Sequence, residues 1–204
     1  MKMTGNTILI TGGTSGIGRA LAEAFHDRGN RVIVTGRRQA LLDQITTERP
    51  GLIGLPLDFD DPASLPRLSA DVRARFPELN VLLANAGISQ AEDLAADNWD
   101  TFVAEALVET NILGVLRVAA AFLPMLKARK DATLIATSSN LAFIPSAGFP
   151  TYCASKAFLH SWLQSLRHQL RKVPVEVLVQ YGRERRQAER EGRYAAVFAA
   201  MNPP

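Results

Sequence analysis

The feature that most limits what this chain can fold into is its regular alternation of short apolar runs with longer amphipathic ones. Residues 7–11, 31–35, 52–57, 81–84, 133–137 and 175–180 are rich in β-branched residues and leucine. They are apolar almost throughout, as strands buried on both faces are. Between them, residues 17–28, 39–48, 62–76, 98–127 and 150–171 carry helical patterning. In the last of these, Leu159, Leu163, Leu166 and Leu170 fall on one face. Gly29 closes the first helix, and Pro62 occupies a permitted first-turn position of the third. The alternation predicts an α/β fold, a doubly wound parallel sheet of the Rossmann-type three-layer α/β/α kind, built as a single domain. Residues 1–180 form that domain and residues 181–204 a charged C-terminal helix or tail. Crossovers of such a sheet are right-handed, and its ligands collect beyond the carboxyl ends of the strands.

Composition narrows the function classes. Hydrophobic residues make up 47% of the chain and charged residues 21%, so disorder is excluded. Cys153 is the only cysteine, which rules out an internal disulfide framework and leaves too few thiols for a zinc cluster; no metal site is expected. A reducing compartment follows. The N-terminus lacks the apolar core of a signal peptide, and no apolar run is expected to reach membrane-spanning length, since Arg117 interrupts the best candidate, residues 115–126. The expectation is a cytoplasmic protein without membrane insertion. Residues 181–194 hold five arginines and three glutamates, which supplies +2 of the net +3. Mixed signs at this spacing read as a solvated helix face, so nucleic acid is not an expected partner.

The first strand turns into the first helix through Ile8-Leu9-Ile10-Thr11-Gly12-Gly13-Thr14-Ser15-Gly16-Ile17-Gly18. Glycines let a backbone turn sharply and approach a phosphate. The helix start then offers unpaired amides and the positive end of its dipole. The spacing is Gly-x-x-x-Gly-x-Gly and differs from the commoner dinucleotide fingerprint. Gly12, Thr14, Ser15, Gly16, Ile17 and Gly18 are the candidate residues for a pyrophosphate.

With Thr11, Gly12, Gly16 and Gly18 meeting a Thr-Gly-x-x-x-Gly-x-Gly signature, the sequence resembles the short-chain dehydrogenase/reductase family over residues 7–180. The wording Ile33-Val34-Thr35-Gly36-Arg37-Arg38 resembles its DltE-like branch. The resemblance implies a nicotinamide cofactor, with Asp58 meeting the adenine and Asn85-Ala86-Gly87 bordering the cofactor. An NAD site ends its second strand on a carboxylate that binds the ribose hydroxyls. Here the strand runs into Arg37 and Arg38 with no acid expected in reach, and a guanidinium pairs with a 2′-phosphate. NADP(H) is therefore expected over NAD(H).

Tyr152 and Lys156 stand four residues apart near the start of a helix, a spacing that stacks them on one face. A phenol is a poor base at neutral pH; a neighbouring ammonium favours the phenolate and is expected to lower its pKa. The resemblance makes Tyr152 the acid/base and lets Lys156 also hold the nicotinamide ribose. It also matches Ser139, rather than Ser138, to the hydroxyl that steadies charge on the substrate oxygen. Asn111 matches the residue that holds a water in a proton relay. His160 and His168 read as surface or packing residues, Trp162 and Phe158 as core or subunit contacts, and Cys153 as a packing residue.

The likeness breaks after Gln180. Tyr181-Gly182-Arg183 reads as the immediate start of an Arg/Glu-rich helix, where the family continues into a Pro-containing turn and a segment that covers substrate. That segment is either deleted or lies outside this sequence, which leaves the substrate's identity unread. The expected function is NADP(H)-dependent interconversion of a small-molecule carbonyl and its alcohol. The alternative is a nucleotide-binding sensor or regulator that keeps the cofactor site with impaired turnover. The family also implies a homo-oligomer.

Overall fold

The computed structural model describes residues 1–182. Six strands form one sheet in the order β3-β2-β1-β4-β5-β6, every neighbouring pair parallel. They are β1 (Thr7–Ile10), β2 (Arg31–Gly36), β3 (Ile53–Pro56), β4 (Val81–Ala84), β5 (Ala132–Ser139) and β6 (Val175–Gly182). The helices are α1 (Gly16–His26), α2 (Gln39–Glu48), α3 (Ser64–Arg75), α4 (Phe102–Val108), α5 (Gly114–Lys127) and α6 (Pro150–Gln169).

Strand alternation divides the core into two layers. Ile8 and Ile10 of β1 pack with Leu21 and Phe25 of α1 and with Leu42 and Ile45 of α2. Leu9, between them, faces the opposite layer with Val72 of α3, Phe122 of α5 and Leu159 of α6. Period-two side chains on strands with helices on both faces give the three-layer sandwich expected of the doubly wound sheet. The order reverses beside β1, between β1 and β4, and there the carboxyl ends of the two strands open a crevice. The site is built in that crevice.

Several boundaries differ from the sequence reading. Residues 98–101 are not helical. The helix begins at Phe102 and is interrupted by a π-helical turn, Glu109–Leu113, which sets Asn111 off the regular ladder. Such turns recur at functional sites. Pro62 lies in the turn before α3, which starts two residues later, at Ser64. The Asp61 carboxylate accepts from the Ala63 amide there, while Asp58 accepts from the Asp60 amide. Tyr181 and Gly182 do not open a helix: they extend β6 by pairing with Ser138 and Ser139 of β5. The tail helix expected beyond them falls on residues outside those described. Finally, Phe102–Lys127 is long and apolar enough to cross a membrane by length and composition, contrary to the expectation that no run reaches that size. In the fold, Val115, Val118, Phe122 and Leu126 of this stretch are buried in the core layer over the sheet.

Candidate active site

The glycine turn leaves β1 beside the end of β4, and side chains hold the two together. Thr11, buried at the strand end, accepts from the amides of both Asn85 and Ala86 through Oγ1 at 3.1 Å. Asn85 answers by donating Nδ2 to the carbonyls of Thr11 and Gly12, each at 3.2 Å. A methyl group on Gly18 would overlap the Gly12 carbonyl and the Asn85 amide, so only glycine fits where α1 meets this junction. Gly16 is required for a different reason. Its φ is +56°, and the space where a side chain would project is open. The turn thus presents bare backbone to the crevice, as a pyrophosphate needs.

A cleft of about 640 Å³ runs along these strand ends. One end is lined by Gly12, Thr14, Ser15, Gly16 and Ile17, the other by Tyr152 and Lys156. Asn85, Ala86 and Gly87 form the wall between, and Arg37, Arg38 and Asp58 flank the outer end. The remaining nine lining positions were not among the sequence candidates; Thr35, Asp60, Ser89, Thr110 and Thr137 are the polar ones.

Asp60 changes the electrostatics expected there. Its carboxylate lies 3.9 Å from Arg37 Nη1, both groups being exposed. The acid absent from the end of β2 is supplied in space by the loop after β3, its neighbour in the sheet. The expectation that no acid comes within reach is therefore corrected.

At the inner end, Lys156 Nζ is buried and donates to the Thr137 carbonyl at 3.0 Å. It lies 5.7 Å from the centre of the Tyr152 ring. Burial lowers the lysine pKa to about 8. Tyr152 is raised above the ordinary phenol value, chiefly by burial, against a lowering by its hydrogen bond with Ser139. This corrects the expected direction. Desolvation of the phenolate outweighs any help from the ammonium, whose charge is directed at the strand carbonyl.

Ser139 ends β5, accepts from the Leu141 amide at 3.2 Å and stands near enough to Tyr152 to lower its pKa. Ser138 instead turns away and donates to the Lys156 carbonyl at 3.2 Å. Asn111 is fully buried, and its side chain clasps the backbone of Ile88: Oδ1 accepts from the amide at 2.8 Å and Nδ2 donates to the carbonyl at 2.9 Å. Nδ2 also reaches Ser155 Oγ at 3.2 Å, tying the π-helical turn to α6. His160 packs edge-on to Phe143 and meets the Tyr181 hydroxyl, away from the cleft. Trp162 packs against the core, Phe158 is largely exposed, and Cys153 is buried with its sulfur accepting from the Ser146 amide.

Residues 6–181 match the family described as short chain dehydrogenase. The chain belongs to that family. Among relatives of known sequence, this short-chain dehydrogenase is 40% identical over 178 residues to the uncharacterized oxidoreductase DltE of Bacillus subtilis, covering 87% of this chain and 71% of that one. It is 30% identical over 175 residues to the NADP-dependent 3-hydroxy acid dehydrogenase YdfG of Shigella flexneri, covering 83% and 68%. Its fold superimposes on a short-chain dehydrogenase from Streptomyces avermitilis with a TM-score of 0.80 and 31% identity, covering 85% of this chain and 64% of that protein. The family is one of oxidoreductases that bind NAD(P) and act on small molecules.

Proposed function

We propose that this short-chain dehydrogenase interconverts a carbonyl compound and its alcohol with NADP(H), using Tyr152 as acid/base. The observation that carries the reading is convergence. Tyr152 and Lys156 line the same cleft as the glycine turn, and Ser139, at the end of β5, stands near enough to the phenol to lower its pKa. The residues fit the cofactor: bare backbone at Gly16, helix α1 opening toward it, and two guanidinium groups at the outer end.

When bound, the nicotinamide supplies or accepts the hydride at the carbonyl carbon. In the reductive direction the Tyr152 hydroxyl gives its proton to the substrate oxygen, while the Ser139 hydroxyl donates a hydrogen bond to the same oxygen. Because burial holds Tyr152 protonated, the phenol is ready as an acid at neutral pH. In the oxidative direction it must first become phenolate, and Lys156, still largely protonated at pH 7, is the cation at hand. Asn111 anchors Ile88, which lines the cleft, and braces α6 through Ser155. Arg37 and Arg38 select the 2′-phosphate, a reading also supported by the NADP-dependent relative. The same reading has the protein acting in the cytoplasm as a homo-oligomer.

The test follows NADPH absorbance across a panel of aldehydes and ketones. Consumption that depends on Tyr152 is expected. Turnover that survives Tyr152→Phe removes the phenol from the mechanism, and no consumption with any carbonyl overturns the reading.

A further inference from the structure

Helix α6, which carries Tyr152 and Lys156, begins without a cap of its own. Phe149 occupies the capping position and no acidic residue stands in the first turn. One of its free amides, that of Thr151, is met from 59 residues earlier in the chain. Glu92 Oε2 accepts from the Thr151 amide at 3.0 Å, and Oε1 accepts from the Thr151 hydroxyl at 3.0 Å. The Glu92 amide in turn donates to the Gly148 carbonyl at 3.1 Å. A carboxylate here satisfies an orphan donor and faces the positive end of the helix dipole.

The place of this contact gives it consequence. Thr151 immediately precedes Tyr152. Glu92 belongs to the loop leaving β4, whose earlier residues Ile88 and Ser89 line the cleft. One side chain therefore joins the cleft wall to the helical turn that bears the phenol. The far part of α6 is held separately by Leu159, Leu163 and Leu166 in the core. Loosening the first turn leaves that anchorage intact and displaces chiefly Tyr152, which lines the cleft from the helix with Ser139 nearby at the end of β5.

We propose that Glu92 is a positioning residue for Tyr152, holding the start of the catalytic helix against the cleft wall so that the phenol meets Ser139. The proposal rests on the reading of Tyr152 as the acid, and its test separates the two. The full chain is prepared with 13C-labelled tyrosine as wild type, Glu92→Ala and Glu92→Gln. The Tyr152 ring signal is assigned by Tyr152→Phe.

In Glu92→Ala, amide exchange at Thr151 and Tyr152 accelerates and the Tyr152 ring signal moves, while that of Tyr181 stays in place. NADPH Kd is unchanged within about twofold, and kcat falls about tenfold to a hundredfold, as for a misplaced catalytic group. Glu92→Gln, which keeps an acceptor for the amide, restores the ring signal and most of kcat. Thr151→Val, which removes one of the bonds, gives a smaller change in the same direction and serves if Glu92→Ala does not fold.

An unmoved Tyr152 ring signal overturns the proposal even if amide exchange accelerates, since Glu92 is then a cap alone. NADPH affinity, kcat and melting temperature falling together, without rescue by glutamine, overturns it too. If the wild type turns over no carbonyl compound, the proposed function fails, and the ring signal still decides the placement of Tyr152.

Discussion

The ammonium of Lys156 donates to the carbonyl of Thr137, 3.0 Å away, and not to the phenol of Tyr152. The lysine bridges α6 to the end of β5 and lies beside the Tyr152 ring, 5.7 Å from its centre. Two groups expected to assist each other electrostatically are each moved toward neutrality by burial: the lysine toward losing its proton, the phenol toward keeping it. The site is therefore poised to donate a proton.

This burial makes stability depend on pH with a definite sign. The unfolded lysine keeps its proton up to its ordinary pKa, whereas the folded one loses it near 8. Between those values the unfolded state binds more protons, so stability rises with pH. Tyr152 acts oppositely, but only above the ordinary phenol value, because its folded pKa is raised. Urea unfolding of wild type and Lys156→Met at about pH 7 and about pH 9.5 isolates the lysine. The wild type is expected to gain roughly 2 kcal/mol on the variant across that interval. A constant difference would mean that folded Lys156 keeps its proton.

Tyr152→Phe should lower kcat by roughly two to four orders of magnitude, the usual contribution of a positioned acid. Ser139→Ala should cost about a hundredfold to a thousandfold by removing a donor to the developing oxyanion. Neither change touches the phosphate end of the cleft, so NADPH titrations should give a near wild-type Kd for both. A large loss of NADPH affinity in Ser139→Ala would assign the hydroxyl to binding.

On the proposed reading, Arg37 and Asp60 set the cofactor preference between them. An exposed ion pair is worth roughly 0.2–1 kcal/mol, whereas hydrogen bonds to charged groups contribute about 1.5–3 kcal/mol. A 2′-phosphate should therefore displace Asp60 from Arg37 at modest cost. Arg37→Ala is expected to weaken NADPH by about tenfold to a hundredfold and leave NADH nearly unchanged. Asp60→Asn should tighten NADPH by about two- to fivefold through removal of the competing carboxylate. The measurement is a pair of fluorescence titrations per variant. NADH binding the wild type as tightly as NADPH would sink the assignment.

How much of this was legible in the sequence depends on the range of the interaction. The α2 and β4 boundaries match residue for residue, because local apolar patterning decides them. The four-residue spacing of Tyr152 and Lys156 and the glycine turn are local signals as well. The π-helical turn was hidden because helical patterning continues on both sides of it, and the true helix start lies where the Asp100 carboxylate accepts from the Phe102 amide. Tyr181 and Gly182 stay in the sheet because β5 runs on to Ser139 and offers them partners, which their own charged surroundings do not announce. Asp60 facing Arg37 was readable in principle, since β2 and β3 are neighbours in such a sheet. The Glu92–Thr151 contact was not, because nothing within either segment encodes its partner. The direction of the Tyr152 shift was misjudged for a related reason: sequence shows that a lysine is near but not how far both groups are withdrawn from water.

Two glycines of the turn should separate packing from binding. Alanine at Gly18 drives its methyl into the Gly12 carbonyl and the Asn85 amide, backbone and side-chain atoms that are themselves tied to Thr11. Relief requires the β1 and β4 ends to part, and overpacking of this kind costs about 1–3 kcal/mol. Gly18→Ala should therefore lower the melting temperature and weaken both NADPH and NADH, since the whole turn shifts. Alanine at Gly16 meets no atom, so its cost is the left-handed backbone alone, about 1–2 kcal/mol. Gly16 lines the cleft, however, so the added methyl would take up space beside the backbone amides proposed to meet the pyrophosphate. NADPH affinity in Gly16→Ala should thus fall further than its stability loss explains, with saturating NADPH restoring less of the melting temperature than in wild type. Thermal melts of both variants with and without cofactor check the contrast. Equal protection of Gly16→Ala and wild type by NADPH would mean that the dinucleotide does not lie over this turn.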